Sequence, residues 1–194
     1  MEQKLYNVVS NVISNSEIAD ILKYFETNKQ KDHGREGYSF CKLTPVGEFV
    51  EKIGLFGDTS SIPKELLPLI RAVRLCYEYF VSNFSMENNL EYKRGFLNSM
   101  GAGAFNRVHS DNDDIYHGKI FGEVNYSALL FFTGPENYEG GELGFTDPMT
   151  EEVIKLKPLS GDLVLFKGSV KHQVDVVTSG HRVNYVIFFR DVLK

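Results

Sequence analysis

The chain has 194 residues and a formal net charge of −5 at pH 7, and hydrophobic residues make up 42% of it. That composition is typical of a globular domain and excludes an intrinsically disordered chain. A negative net charge without a long basic run argues against nucleic acid as a partner. The two cysteines, Cys41 and Cys76, form no CxxC pair, so we expect no zinc knuckle and no thioredoxin-like redox site.

The first residues, MEQKLYNVVSNVIS, lack the apolar core and the small-residue cleavage site of a signal peptide. No segment approaches the roughly 20 apolar residues that a membrane span needs. We therefore predict a soluble, cytoplasmic protein with no membrane partner. The sequence leaves the oligomeric state open.

The N-terminal part, residues 1–90, is predicted to form strands and two helices. Residues 5–13 are rich in Val and Ile and indicate a strand, and 38–43 indicate another. Ser14 and Glu17 have the spacing of a capping box, which predicts that a helix begins there. A second helix is predicted over residues 63–84, since its apolar residues recur at helical spacing.

From about residue 90 onward, short β-rich runs alternate with Gly, Pro, Asn and Asp. Many short strands separated by turn residues indicate a sandwich or a barrel, and a jelly roll is the natural candidate. Residues 91–194 would form this β core, and the helices of residues 1–90 would pack on one of its sheets in a single compact domain. The predicted strands are 91–98, 104–109, 126–133, 142–146, 152–156, 162–167, 170–176 and 182–190.

Three residues have the chemistry of a metal site. His109 and Asp111 form an HxD motif at the end of a predicted strand, where residues two apart point to the same face. His172 lies on a later predicted strand. Two histidines and one carboxylate on one face of a metal form the facial triad of non-haem iron(II) oxygenases, which keeps three coordination positions open. Two of these positions suit a bidentate 2-oxo acid and the third suits dioxygen.

An arginine follows this pattern at a suggestive spacing. Arg182 comes ten residues after His172, and a turn at residues 178–180 would bring it back beside the metal pocket. A guanidinium is a planar, permanently charged clamp for a carboxylate such as the distal one of 2-oxoglutarate. A hydroxyl would assist it, and the candidates are Ser127 and Tyr185.

Other conspicuous residues have simpler interpretations. His117 falls in a predicted loop, and His181 neighbours Arg182 and so faces the opposite side of a strand. The Gly-Ala-Gly run at 101–103 lacks a complete phosphate-binding pattern, so we interpret it as a hairpin turn. The glycines at 140–141 are expected at a turn or bulge.

Four segments of the chain resemble a known family. They are HSDND (109–113), SALLFFTGPENYEGGELGF (127–145), KPLSGDLVLF (157–166) and KHQVDVVTSGHRV (171–183). Together they resemble the prolyl 4-hydroxylase branch of the 2-oxoglutarate oxygenases, especially its bacterial PKHD-type members. The opening segment YNVVSNVISNSEIADILKYFE is loosely similar to the first strand and helix of that family.

The resemblance implies a double-stranded β-helix, cupin-like, with iron(II) held by His109, Asp111 and His172. It also implies 2-oxoglutarate as cosubstrate, dioxygen as oxidant and ascorbate in support. Collagen-type members usually have Lys where this chain has Arg182, whereas PKHD-type members have Arg. The family often has a tyrosine three residues before the first metal histidine, where this chain has Asn106.

The implied activity is hydroxylation of a C–H bond, in a prolyl or other peptide residue. The alternatives are hydroxylation of a free amino acid or small metabolite, and a non-catalytic metal-binding jelly roll, which would not need Arg182. A halogenase of the same fold needs an open position in place of the carboxylate, so Asp111 argues against it. Residues 111–125 and 34–60 are candidate walls or lids of the substrate pocket.

Overall fold

The computed structural model describes residues 4–27, 38–42, 44–84, 90–112 and 124–192. Short antiparallel strands predominate in these ranges, and the helices all lie in the N-terminal half. The predicted mainly β fold with N-terminal helices is therefore confirmed. Most of the candidate lid at 111–125 and part of the candidate wall at 34–60, as well as His117, lie outside the described residues.

Three α-helices occur in the described residues, and two of them were predicted. The capping box at the first is present: the Ser14 backbone N–H donates to the Glu17 carboxylate at 2.8 Å, and the Glu17 N–H donates to Ser14 Oγ at 3.3 Å. None of these helices is both long and apolar enough to cross a membrane. The helices are α1 (Asn15–Thr27), α2 (Thr44–Ile53) and α3 (Leu67–Asn83), with a 3₁₀ turn at Lys64–Leu66 before α3.

The described strands form three antiparallel sheets. The larger sheet has the order β1-β9-β5-β12-β3-β2, the second has the order β4-β10-β7-β8, and β11 pairs with β6 in a ribbon. The strands are β1 (Tyr6–Val9), β2 (Tyr38–Lys42), β3 (Leu90–Met100), β4 (Asn106–His109), β5 (Tyr126–Phe131), β6 (Tyr138–Gly140), β7 (Leu143–Thr146), β8 (Val153–Leu156), β9 (Leu163–Lys167), β10 (His172–Val174), β11 (Val177–Gly180) and β12 (Arg182–Asp191).

The two faces of the six-stranded sheet pack against different partners. Its helix-side face packs against α1 and α3, whose buried residues include Ile21 and Phe80. Its inner face packs against the four-stranded sheet through residues such as Phe145. Side chains alternate along a strand, so each central strand serves both cores. On β12, for example, Tyr185, Ile187 and Phe189 lie on the helix-side face, and Val186 and Phe188 lie on the inner face.

The N-terminal residues contribute strands as well as helices to this architecture. β1 pairs with β9 and β2 pairs with β3, so they form the two edges of the six-stranded sheet. The N-terminal part is thus continuous with the sheet through main-chain hydrogen bonds. The division of the chain near residue 90 stays a prediction.

The predicted turn at residues 178–180 is wrong, because these residues belong to β11. β11 pairs with β6, a strand that was also not predicted from the sequence. The expected turn or bulge at residues 140–141 has a physical basis here. Gly140 has a φ of +66°, and a Cβ at this position would collide with the Val176 carbonyl oxygen. The 101–103 turn joins strands of two different sheets, so it is not a hairpin.

Candidate metal and cosubstrate site

The two candidate histidines face each other across a strand pair. His109 is the last residue of β4 and His172 is the first residue of β10, and the antiparallel register pairs them directly. Their ring centroids are 4.3 Å apart. Directly paired residues on neighbouring strands project to the same face of a sheet. The sheet register therefore brings together two histidines that lie far apart in the sequence.

Asp111 completes a group of three potential ligands. Its Oδ1 lies 3.6 Å from His109 Nε2, and its Oδ2 lies 3.7 Å from His172 Nε2. The candidate donor atoms of the three residues all lie within 4.8 Å of one another. Two imidazole nitrogens and one carboxylate oxygen suit iron(II) and leave coordination positions open. The structure thus brings together all three predicted ligands, and the donor set fits the metal.

The other ring nitrogen of each histidine is held by the backbone. His109 Nδ1 lies 2.7 Å from the Arg107 carbonyl oxygen, and His172 Nδ1 lies 3.0 Å from that of Val170. A carbonyl accepts hydrogen bonds only, so each Nδ1 carries the proton and donates it. Each Nε2 then faces the carboxylate of Asp111 as a candidate donor atom for a metal. This is the usual way in which proteins orient a metal-binding imidazole.

The local electrostatics keep the group in the state that binds a cation. Burial by itself raises the pKa of Asp111, but its contacts with both histidines and with Ser127 outweigh burial and lower the pKa overall. Burial lowers the pKa of His172, although the carboxylate of Asp111 opposes this shift. Near neutral pH the aspartate is therefore ionised and His172 is neutral, as metal binding requires.

Arg182 lies on the inner face of β12 and is 1% exposed. Its guanidinium carbon is 4.9 Å from the centroid of the Phe131 ring, and its Nη1 donates to Asn184 Oδ1 at 2.7 Å. Burial of a cation carries a large desolvation cost, which an anionic ligand offsets. A buried guanidinium on the wall of the barrel fits the distal carboxylate of 2-oxoglutarate.

Residues 95–190, about half of the chain, match the family profile described as the 2OG-Fe(II) oxygenase superfamily. This half of the chain belongs to that superfamily. It contains His109, Asp111, His172 and Arg182. A PKHD-type hydroxylase of Pseudomonas aeruginosa strain LESB58 is 42% identical over 91 residues, which cover 46% of this chain and 38% of that protein. The chain thus aligns with less than half the length of this curated relative.

Solved structures show the oxygenase fold over almost the whole chain. The viral collagen prolyl hydroxylase of Paramecium Bursaria Chlorella virus-1, in complex with 2-oxoglutarate, covers 98% of this chain and 97% of its own, with a TM-score of 0.67 and 15% identity. HygX of Streptomyces hygroscopicus, with nickel, 2-oxoglutarate and hygromycin B bound, covers 97% of this chain and 83% of its own, with a TM-score of 0.63 and 14% identity. The predicted double-stranded β-helix is confirmed.

Ser127 lies beside Asp111 and not beside Arg182. It is fully buried on β5, opposite Phe188 of β12, and its Oγ donates to Asp111 Oδ2 at 2.6 Å. Phe188 lies six positions after Arg182 on β12. The prediction that Ser127 assists Arg182 is therefore wrong, and its hydroxyl orients the carboxylate of Asp111 instead.

Tyr185 lies on the opposite face of β12 from Arg182, so its predicted role is also wrong. Its side chain belongs to the helix-side core, and its hydroxyl oxygen is 3.4 Å from that of Tyr92. The cause is alternation, because residues three apart on a strand point to opposite faces. His181 is exposed, as expected of a residue that does not bind the metal.

Sequence reasoning missed three buried polar residues of the oxygenase interior. Asn98 and Asn184 are directly paired on β3 and β12, and Tyr138 lies on β6. All three are buried. The signal for Asn184 was present in the sequence, since it lies two residues after Arg182 on the same predicted strand and so shares its face. The positions of Asn98 and Tyr138 depend on strand pairings that the sequence does not reveal.

Proposed function

We propose that this protein is an iron(II)- and 2-oxoglutarate-dependent dioxygenase that hydroxylates a C–H bond. The observation that carries the proposal is the convergence of His109, Asp111 and His172, whose donor atoms lie within 4.8 Å of one another. A buried guanidinium on the inner face of the same barrel supports it, because a structural metal site would not need Arg182.

The protein's residues hold and orient the reactants in this proposal. His109, Asp111 and His172 occupy one face of the metal and leave positions for the 2-oxo acid and for dioxygen. Arg182 binds the distal carboxylate, and Ser127 fixes the orientation of Asp111. The bound iron supplies the oxidative chemistry, in which one oxygen atom of dioxygen goes to succinate and the other to the product alcohol, with release of carbon dioxide. Ascorbate supports turnover by keeping the iron reduced.

The substrate is a residue of a peptide, with proline the first choice, or a small molecule. The likeness to PKHD-type hydroxylases and to a collagen prolyl hydroxylase supports the first class. The likeness to HygX, which has hygromycin B bound, supports the second. A peptide panel and a metabolite panel, searched by mass spectrometry for a 2-oxoglutarate-dependent gain of one oxygen atom, distinguish the two classes.

The reaction class has a direct test that needs no substrate. Purified protein supplied with iron(II), ascorbate and 2-oxoglutarate is expected to form succinate slowly, and His109→Ala and Asp111→Ala are expected to abolish this, because each removes a metal ligand. His181→Ala is the matched control, since it removes an exposed histidine of the same domain and is expected to leave turnover unchanged. Equal succinate formation by the parent protein and both ligand variants contradicts the proposal.

A further inference from the structure

The interior around Arg182 contains buried polar atoms that the described residues leave without a hydrogen bond. These atoms are Asn184 Nδ2 and Asn98 Oδ1, in side chains that are 0% and 5% exposed. A buried polar atom without a partner costs about 1–3 kcal/mol, so such atoms are few in native proteins. Two of them in the part of the barrel that contains a buried guanidinium indicate a polar ligand.

Asn184 is oriented by its contact with Arg182. Its Oδ1 accepts a hydrogen bond from Arg182 Nη1 at 2.7 Å, which uses the acceptor end of the amide. The other end, Nδ2, carries two hydrogens and can only donate. Asn184 faces the barrel interior, where it is paired with Asn98 on β3 and with Phe131 on β5. The amide thus presents donors to the interior next to the guanidinium.

Tyr138 approaches the same place from the β6–β11 ribbon. Burial raises the pKa of its phenol, and the charge of Arg182 and a hydrogen bond with that guanidinium oppose the shift without cancelling it. The hydroxyl is therefore protonated at neutral pH and available as a donor. Lys157 also contacts Tyr138: its Nζ lies 4.8 Å from the ring centroid and donates to the Tyr138 carbonyl oxygen at 3.2 Å.

We propose that Asn184 and Tyr138 bind the distal carboxylate of the cosubstrate together with Arg182. This inference rests on the proposed oxygenase function. A carboxylate offers about four acceptor sites to surrounding donors, and one guanidinium nitrogen, Nη1, already donates to Asn184. The amide and the phenol supply donors for the oxygen sites that Arg182 does not reach.

The same arrangement favours a cosubstrate that carries a second carboxylate. Arg182 begins β12, whereas the metal ligand Asp111 is held at the level of Phe188 through Ser127. Asn184 lies between these two levels of the strand. A 2-oxo acid bound to the metal reaches the three donors only if it carries a second carboxylate at the far end of its chain. Short monocarboxylic 2-oxo acids gain nothing from them.

The test compares cosubstrate affinity in matched variants. The dissociation constant of 2-oxoglutarate is measured by titration calorimetry on the full chain loaded with Ni²⁺, which does not support turnover. Asn184→Leu and Tyr138→Phe are each expected to weaken binding about tenfold, since each removes one hydrogen bond to a charged group. Tyr185→Phe is the control, because it deletes a buried phenol on the helix-side face of β12, and it is expected to leave the affinity unchanged.

Two further measurements distinguish the inference from its alternatives. Asn184→Asp keeps the side-chain size and the contact with Arg182 but places a negative charge beside the ligand. It is therefore expected to weaken the binding of 2-oxoglutarate more than Asn184→Leu does. The affinity for 2-oxobutyrate, which lacks the distal carboxylate, is expected to be the same in all variants. Unchanged 2-oxoglutarate affinity in Asn184→Leu and Tyr138→Phe, or an equal loss for both ligands, overturns the inference. Failure of the nickel-loaded parent to bind 2-oxoglutarate overturns the proposed function itself.

Discussion

The two faces of the six-stranded sheet are built from the same strands but serve different purposes. On the helix-side face, aromatic rings pack closely: Phe80 of α3 lies 5.0 Å from Tyr126 and 5.9 Å from Phe189, centroid to centroid. On the inner face, the same β5 and β12 bury Ser127 and Arg182. One face of each strand is therefore an ordinary apolar core, and the other contains polar groups in a buried setting.

The difference shows where stability and function are located. Apolar burial stabilises the fold by roughly 25 cal/mol per Å² of surface, so the helix-side face contributes mainly stability. Buried polar groups cost free energy unless they are paired. The inner face carries Ser127, Arg182 and Asn184, and the four-stranded sheet opposite it carries His109 and His172. Side chains that lower stability without a ligand are expected where a ligand binds. Substitutions on the two faces should therefore affect different measurements.

The largest expected effect is on the helix-side face. Phe80→Ala is expected to lower the free energy of unfolding by about 3–5 kcal/mol, because it leaves a cavity between α3 and the sheet. Urea denaturation followed by circular dichroism measures this change. The affinity of the folded protein for 2-oxoglutarate is expected to be unchanged below the unfolding transition. A large loss of affinity without a loss of stability would show that the two faces are not separate in function.

An intermediate effect is expected at Arg182. Arg182→Ala removes a charge-assisted contact worth about 1.5–3 kcal/mol, so the 2-oxoglutarate concentration needed for half-maximal succinate formation should rise at least tenfold. The unfolding free energy should fall little or rise, since a buried charge is removed. Arg182→Lys is the matched variant, and it is expected to recover part of the affinity because it keeps the charge but not the bidentate geometry. Equal cosubstrate requirements in all three proteins would contradict the assignment.

The smallest of these effects is expected at Ser127. Ser127→Ala removes the hydrogen bond to Asp111 Oδ2 and is expected to weaken metal binding about tenfold, the lower end of the range for residues that orient metal ligands. Competition with a chelating dye measures the metal affinity without turnover. Ser127→Thr keeps the hydroxyl and is expected to retain most of the affinity. If Ser127→Ala binds metal like the parent protein, the hydroxyl has no orienting role.

The candidate metal ligands and Arg182 were predictable because their placement depends on simple periodicity. His109 and Asp111 lie two apart at a strand end, and His172 and Arg182 follow on later β-rich runs. The same alternation argues against Tyr185 as a partner of Arg182, because it lies three residues after Arg182 and so points to the opposite face of the strand. These residues also fall in the half of the chain that matches the oxygenase family, where the resemblance was strongest.

The remaining features depend on strand pairing, which a single sequence does not reveal. Ser127 was assigned to the wrong end of the barrel because its level is set by pairing with Phe188, sixty-one residues later. β6 and β11 have only three and four residues, too few for periodicity to be detected. Their pairing is also what places Tyr138 in the interior. Cosubstrate residues on short strands are therefore found only from the three-dimensional arrangement.

A crystal structure of the protein soaked without oxygen in Ni²⁺ and 2-oxoglutarate tests the central claim most directly. We predict one metal ion bonded to Nε2 of His109, a carboxylate oxygen of Asp111 and Nε2 of His172. We also predict that the distal carboxylate of the cosubstrate contacts the Arg182 guanidinium on the inner face. A metal ion bound elsewhere, or a cosubstrate whose distal carboxylate points away from Arg182, would contradict the account.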